Sequence, residues 1–288
     1  MLAYFDCFSG ISGDMTLGAF IDLGVPLNWL KENIARIPLT GFDLIATPVH
    51  RSGIQAQLAQ VACDDDKISR NFAEIEFLIA NSPLSNRVKE ISLQIFAKIA
   101  QAEAGIHGCP LEQVHFHEIG GTDAIVDIVG TALCLEYLGI QKVVASRIPL
   151  GSGFVVCRHG KLPVPAPATL AILDGVPVYG TGVAHELVTP TGAGIIVTLA
   201  QSFAPLPDMI IQKVGYGAGQ RELESGPNLL RIITGSERGP RFGPAENVLS
   251  DQVLIVETCI DDMNPEFFGF VMERLFADGA LDVYWVPI

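Results

Sequence analysis

Apolar positions recur at spacings of three and four after Pro83: Val88, Ile91, Ile95, Ile99 and Ala102 fall on one stripe of a helix that ends near Gly105. From Thr122 to Leu138 the pattern differs. Ala124, Ile125, Val126, Ile128, Val129, Leu133, Cys134 and Leu135 leave almost no polar face, so this helix belongs at the centre of the fold. Two aspartates inside it, Asp123 and Asp127, therefore require a physical explanation. The N-terminus reads strand, turn, helix: Leu2 to Phe8 is apolar, Ser9 to Gly13 is a glycine-serine turn, and Met15 to Leu23 is helical until Gly24-Val25-Pro26 stops it. A further helix is expected over Asn28 to Ile37, and the alternating, β-branched stretch Phe42 to Cys63, broken at Arg51-Ser52-Gly53, reads as a hairpin.

Past Gly139 the pattern turns to strands over Lys142 to Pro149 and Gly151 to Val156, followed by a proline-rich turn and a short helix. Thr189-Pro190-Thr191-Gly192 opens an apolar helix running through Ala200; Met209 to Gly215 and Asn228 to Thr234 read as strands. The Gly/Pro-rich polar stretch Ser236 to Asn247 is the best linker. Beyond it lie strand Gln252 to Ile260, helix Pro265 to Asp278 and strand Leu281 to Ile288. The expected class is α+β: mixed strands and helices in a large domain over residues 1–240, then the opening of a smaller α/β, ferredoxin-like domain over 248–288. Some forty residues of strand-helix-strand make a poor independent core, so that piece is expected either to pack on another subunit or to be part of something longer.

The chain has 288 residues, 49% of them apolar and 17% charged, with thirty-two acids against eighteen bases for a net charge of -14. That composition argues against disorder, and a phosphate backbone would repel so acidic a surface, which argues against broad nucleic-acid binding. No C-x-x-C pair occurs among Cys7, Cys63, Cys109, Cys134, Cys157 and Cys259, so neither a thiolate zinc knuckle nor a redox motif is written here. No basic signal region opens the chain, and no apolar run reaches the roughly 18 residues of a membrane span. A cytoplasmic protein without a membrane partner is the expectation.

The segment HFHEIGGTDAIVDIVG, residues 115 to 130, concentrates potential chemistry. If Val114 to Glu118 is extended, His115 and His117 share a face. Asp123 and Asp127 share a helix face about 6 Å apart along its axis, and Gly120-Gly121 allows one pair to fold against the other. With Glu118 alongside, this set suits a borderline divalent ion such as Zn, Ni, Co or Fe. The bland reading of Asp123 is favourable placement at a helix start; Asp127, surrounded by Val126, Ile128 and Val129, is costly unless paired or coordinating. Two loops have the composition of phosphate cradles: Ser9 to Asp14, with Ser9 and Ser12, and the helix start with Thr189, Thr191 and Gly192. The first lacks a P-loop lysine. Gly215-Tyr216-Gly217-Ala218-Gly219 resembles a dinucleotide fingerprint only superficially, because no helix is expected after it. The acids of Asp261-Asp262-Met263-Asn264-Pro265-Glu266 fit capping, with a metal-phosphate site as the sharper alternative.

FDCFSGISGDMTLGAF, VHFHEIGGTDAIVDIVG, HGKLPVPAPATLAIL, ELVTPTGAGI, VGYGAG and ETCIDDMNPE, in that order, resemble the LarC family of nickel-insertion proteins across essentially the whole chain. The resemblance implies a CTP-dependent cyclometallase of the lyase class. It would insert nickel into pyridinium-3,5-bisthiocarboxylic acid mononucleotide to make the nickel-pincer cofactor of lactate racemase. His115, His117, Glu118, Asp123 and Asp127 match the family's histidine-acid segment and are assigned to nickel. Asp6 and Asp14 are the candidate bases for the pyridinium carbon. CTP, with Mg or Mn, and homo-oligomerisation are expected of the C-terminal domain, which the resemblance implies is longer in other members. The sequence is also compatible with two rivals: a non-catalytic nickel store or metallochaperone, and a metal-dependent hydrolase of a phosphorylated small molecule.

Overall fold

The computed structural model describes residues 1–63, 70–111, 114, 116, 120–157, 160–224, 226–237 and 253–286. It divides into two compact units, Met1–Gly239 and Pro240–Ile288.

The first unit begins with strand β1 (Leu2–Asp6), helix α1 (Gly13–Asp22), helix α2 (Leu27–Ile34) and the hairpin β2 (Phe42–Arg51) and β3 (Ile54–Cys63). Three helices follow: α3 (Phe72–Ala80), α4 (Asn86–His107) and α5 (Thr122–Tyr137). The chain then returns as β4 (Lys142–Ala145), β5 (Ile148–Leu150), β6 (Phe154–Cys157), β7 (Gly160–Pro163), α6 (Pro167–Ile172), β8 (Val178–Gly180), α7 (Pro190–Leu199), β9 (Ser202–Phe203), β10 (Met209–Ala218) and β11 (Leu229–Glu237). Seven strands form one mixed sheet in the order β2-β3-β10-β11-β1-β4-β9. β1 is parallel to β4 and antiparallel to β11. The class is α+β.

Strand alternation divides β1 between two environments. Ala3, Phe5 and Cys7 enter the main core, to which helices α1 to α7 contribute buried side chains. Leu2 and Tyr4 face the other way and meet Val144 and Ile233 in a smaller cluster. The helix ends follow local chemistry. Ser85 caps α4, accepting from Val88 N at 3.2 Å, and Gly108 closes that helix at φ 62°. α5 is buried along most of its length, as its apolar pattern requires.

α1 lies unusually close to the sheet. A β-carbon on Gly217 would stand 1.8 Å from Met15 O, one on Gly215 2.3 Å from Ala19 O, and one on Gly18 2.3 Å from Gln57 O. Gly215 and Gly217 of GYGAG therefore serve backbone-to-backbone packing of α1 on β10, whereas a β-carbon on Gly219 would meet the Asn228 side chain at 2.3 Å.

Several expectations are corrected. The stretch 142–149 is two strands: the chain breaks at Ser146, whose Oγ accepts from Cys7 N at 2.9 Å, and β5 leaves to pair with β8. Helix α3 forms where the apolar pattern predicts no element, with Asn71 and Glu74 making a reciprocal capping box at its start. In the second unit, helix α8 (Phe267–Ala277) forms, but the expected strands over 252–260 and 281–288 do not appear among the described residues, 253–260 and 281–286. Leu254 and Leu281 are exposed there. A β-branched run becomes a strand only when another strand satisfies its backbone groups.

Candidate functional site

The site begins where β1 runs into α1. Gly10 takes φ 106°, and Ile11 pairs with Val188 as an isolated parallel bridge, with Ile11 N donating to Leu187 O at 3.0 Å and Thr189 N to Ile11 O at 3.2 Å. The two suspected phosphate loops, nearly 180 residues apart in sequence, are thereby locked side by side. No side chain fits at their contact: a β-carbon on Gly10 would stand 1.9 Å from Leu187 O, and one on Gly192 2.2 Å from Ile11 O.

Each loop opens a helix. Ser12 caps α1, accepting weakly from Met15 N at 3.4 Å while its hydroxyl donates to Asp14. Thr189 caps α7, accepting from Gly192 N at 3.1 Å, with Pro190 in the first turn. Thr191 is half-buried beside it and Gly192 is buried. Ser9 acts differently: its hydroxyl donates to Pro227 O at 2.7 Å, tying the loop to the chain that enters β11. Two helix starts thus sit together at the carboxyl end of β1, where the free amides of first turns favour an anion.

Two carboxylates stand at the same place. Asp14, in the first turn of α1, also accepts from Met15 N at 2.9 Å. Burial pushes its carboxyl above the ordinary aspartate range, opposed by the hydrogen bonds from Ser12, Met15 and the Gln220 side chain. Asp127 comes from the second turn of α5, and its Oδ2 occupies the space where Gly13 would carry a β-carbon. Asp127 Oδ1 is enclosed and has no hydrogen-bond partner. Burial first, then the charges of Asp14 and Asp123, push its carboxyl well above the ordinary range.

Asp123 is exposed in the first turn of α5, where a carboxylate complements the helix dipole. His115, His117 and Glu118 lie outside the described residues; their neighbours Val114 and Phe116 are buried, with Phe116 packed against Phe72 and Phe96. Among the described residues, no group of three or more His, Cys, Asp or Glu side chains is gathered so as to hold a metal ion. Arg70, not singled out from the sequence, joins the start of α5: its backbone N donates to Gly120 O at 3.2 Å and Nη1 to Thr122 Oγ1 at 3.3 Å.

Asp6 lies elsewhere. It follows Tyr4 on the sheet face away from α1 and is held by Arg231, whose Nε donates to it at 3.0 Å and whose Nη2 makes a second contact. The guanidinium also stands 5.7 Å from the centroid of Phe8. The structure therefore brings Ser12, Asp14, Asp127, Thr189, Thr191 and Gly192 together and leaves Asp6 out. In the second unit, Asp261 and Asp262 are exposed, and Asn264 Oδ1 accepts from Glu266 N at 3.1 Å, a local turn interaction.

No helix among the described residues is long and apolar enough to cross a membrane. The family model described as nickel insertion protein matches residues 3–288. A protein of Syntrophobacter fumaroxidans named as a nickel insertion protein is 51% identical over 285 residues, covering 99% of this chain and 71% of the relative. A relative of the same name from Wolinella succinogenes is 50% identical over 290 residues, covering 100% and 71%. One from Desulfitobacterium hafniense, named pyridinium-3,5-bisthiocarboxylic acid mononucleotide nickel insertion protein, is 46% identical over 282 residues, covering 98% and 70%. No solved structure matches the chain. A match over nearly every residue, with such identities, establishes that the chain belongs to the nickel insertion protein family.

Proposed function

We propose that this chain inserts nickel into pyridinium-3,5-bisthiocarboxylic acid mononucleotide in a CTP-dependent reaction, making the nickel-pincer cofactor for a lactate racemase-type client. The named substrate of the Desulfitobacterium relative supports the choice of acceptor. The observation in this chain that carries the reading is the convergence of two helix starts, α1 and α7, on the carboxylates of Asp14 and Asp127.

That convergence supplies what the reaction demands. The acceptor carries a phosphate, and the paired helix starts, with the hydroxyls of Ser12, Thr189 and Thr191 beside Gly192, are suited to it; Ser9 holds the loop in place. Nickel is the second substrate. Histidine and carboxylate donors suit it, and His115, His117, Glu118, Asp123 and Asp127 are the proposed set. Forming the carbon–nickel bond requires the ring carbon to give up its proton while the carbon keeps the electron pair. Asp14 is the proposed acceptor, because its surroundings favour the protonated carboxyl. Asp6, ion-paired on the opposite sheet face, is not placed for it. CTP with Mg or Mn is assigned to the second unit, with oligomerisation, as part of the same proposal.

The test is direct. Protein, NiCl2, the bisthiocarboxylate mononucleotide and Mg-CTP are mixed, and the product is followed by mass spectrometry and by activation of apo-racemase. Nickel-bearing product that depends on CTP is expected. Nickel retained by the protein without product would make it a store, and product formed equally without CTP would remove the nucleotide requirement.

A further inference from the structure

Nothing in the sequence pairs Asp14 with Asp127; 113 residues separate them, and only Asp127 belongs to the histidine-acid segment. The structure places them together, with Gly13 as the floor between α1 and α5. Three features set this pair apart from ordinary helix capping. First, Asp14 already occupies the first turn of α1, using one oxygen, Oδ1, to accept from Ser12 and Met15. A second carboxylate at the same helix start is one negative charge more than the dipole calls for. Secondly, Asp127 Oδ1 is enclosed without a partner, and an enclosed carboxylate oxygen is costly whether it remains bare or is merely desolvated. Thirdly, no lysine, arginine or histidine makes a salt bridge to either carboxylate among the described residues. Two carboxylates without a salt-bridge partner, with the Gln220 side chain hydrogen-bonded to Asp14 beside them, form an oxygen pair that a divalent ion would satisfy.

We propose that Asp14 and Asp127 form a two-carboxylate seat for the nickel ion, with Asp127 Oδ1 and one oxygen of Asp14 as its donors. This deepens the nickel-insertion reading and rests on it for the identity of the ion. The seat also couples the two halves of the reaction. As nickel moves from Asp14 to the ring carbon, the carbon–hydrogen bond breaks, its electron pair forms the carbon–nickel bond, and the proton passes to the carboxylate oxygen that nickel has just left. Charge and atoms balance within this step. Gly13 is required because a side chain there would displace the Asp127 carboxyl.

The experiment uses NiCl2 alone as the probe. Calorimetric titration of the unaltered chain is compared with Asp14→Asn and Asp127→Asn, each checked for folding by circular dichroism. A loss of affinity of about tenfold or more in both, which corresponds to about 1.4 kcal/mol, is expected; unchanged affinity in both overturns the seat. Because a variant can fail to fold, crystals of the unaltered chain are also soaked in NiCl2. Anomalous density between the two carboxylates supports the seat, and nickel density found only elsewhere overturns it. The insertion assay separates the two claims. Nickel in the seat without product in that assay defeats nickel insertion alone, whereas full product from variants with unchanged nickel affinity defeats the seat alone.

Discussion

The side chain of Asp127 lies on the first residue of α1: a β-carbon at Gly13 would stand 2.1 Å from Asp127 Oδ2 and 2.4 Å from its carboxyl carbon. α1 and α5 remain close one turn further along, where a β-carbon on Gly130 would meet Leu17 Cδ2 at 2.8 Å. The helix crossing therefore fixes where the buried carboxylate sits.

Gly13→Ala is expected to displace that carboxylate. A methyl group forced into this contact should cost about 1–3 kcal/mol, read as a lower denaturant midpoint with an unchanged slope. Nickel insertion should fall further than stability does, because the displaced group belongs to the site. Equal activity per folded molecule would show that the position of Asp127 is immaterial.

Stability should depend on pH through the same carboxyl. Its affinity for protons is raised in the folded state, so the folded chain holds a proton where the unfolded chain, near the ordinary aspartate value of 3.8, has released it. The resulting stability is full below that value and is lost as pH rises through the elevated folded value. One such group contributes about 1.4 kcal/mol for each pH unit over which only the folded state is protonated. In chelator-treated buffer, the melting temperature of the parent minus that of Asp127→Asn should fall on going from mildly acidic to neutral solution. A flat difference would mean that the carboxyl is not proton-bound there. Asp14, raised in the same direction by burial, adds to the slope of the parent curve and largely cancels in the difference.

Gly217→Ala tests the contact of α1 with the sheet. With Met15 O 1.8 Å from the added carbon, the helix must move away from β10, and a cost of at least about 3 kcal/mol is expected, at the upper end for overpacking. Poor recovery of folded protein, or a large drop in the denaturation midpoint, is the outcome to look for. Near-parental stability would contradict the close approach.

Asp6→Asn and Arg231→Gln test the opposite face. The pair is partly exposed, with 39% of the Arg231 side chain accessible, so its coupling in a double-mutant cycle should stay below about 1 kcal/mol. Nickel insertion by Asp6→Asn should be unchanged. A collapse of activity in a well-folded variant would return Asp6 to the reaction.

Local pattern determined much of this protein. The apolar stripe from Val88 to Ala102, the almost wholly apolar helix holding Asp127, the hairpin over 42–63 and the serine, threonine and glycine signals at two helix starts were legible because each depends on neighbours within a few residues. The strand pattern over 252–260 misled for the converse reason: a strand exists only with a partner, and β-branched residues do not supply one. What only the tertiary structure decided was association. Ile11 meets Val188, Asp127 meets Gly13, and Asp6 turns away towards Arg231, because sheet order and helix crossing bring together segments that no local spacing connects. The sequence could show that a carboxylate inside an apolar helix needs a partner; which groups stand beside it was settled by packing.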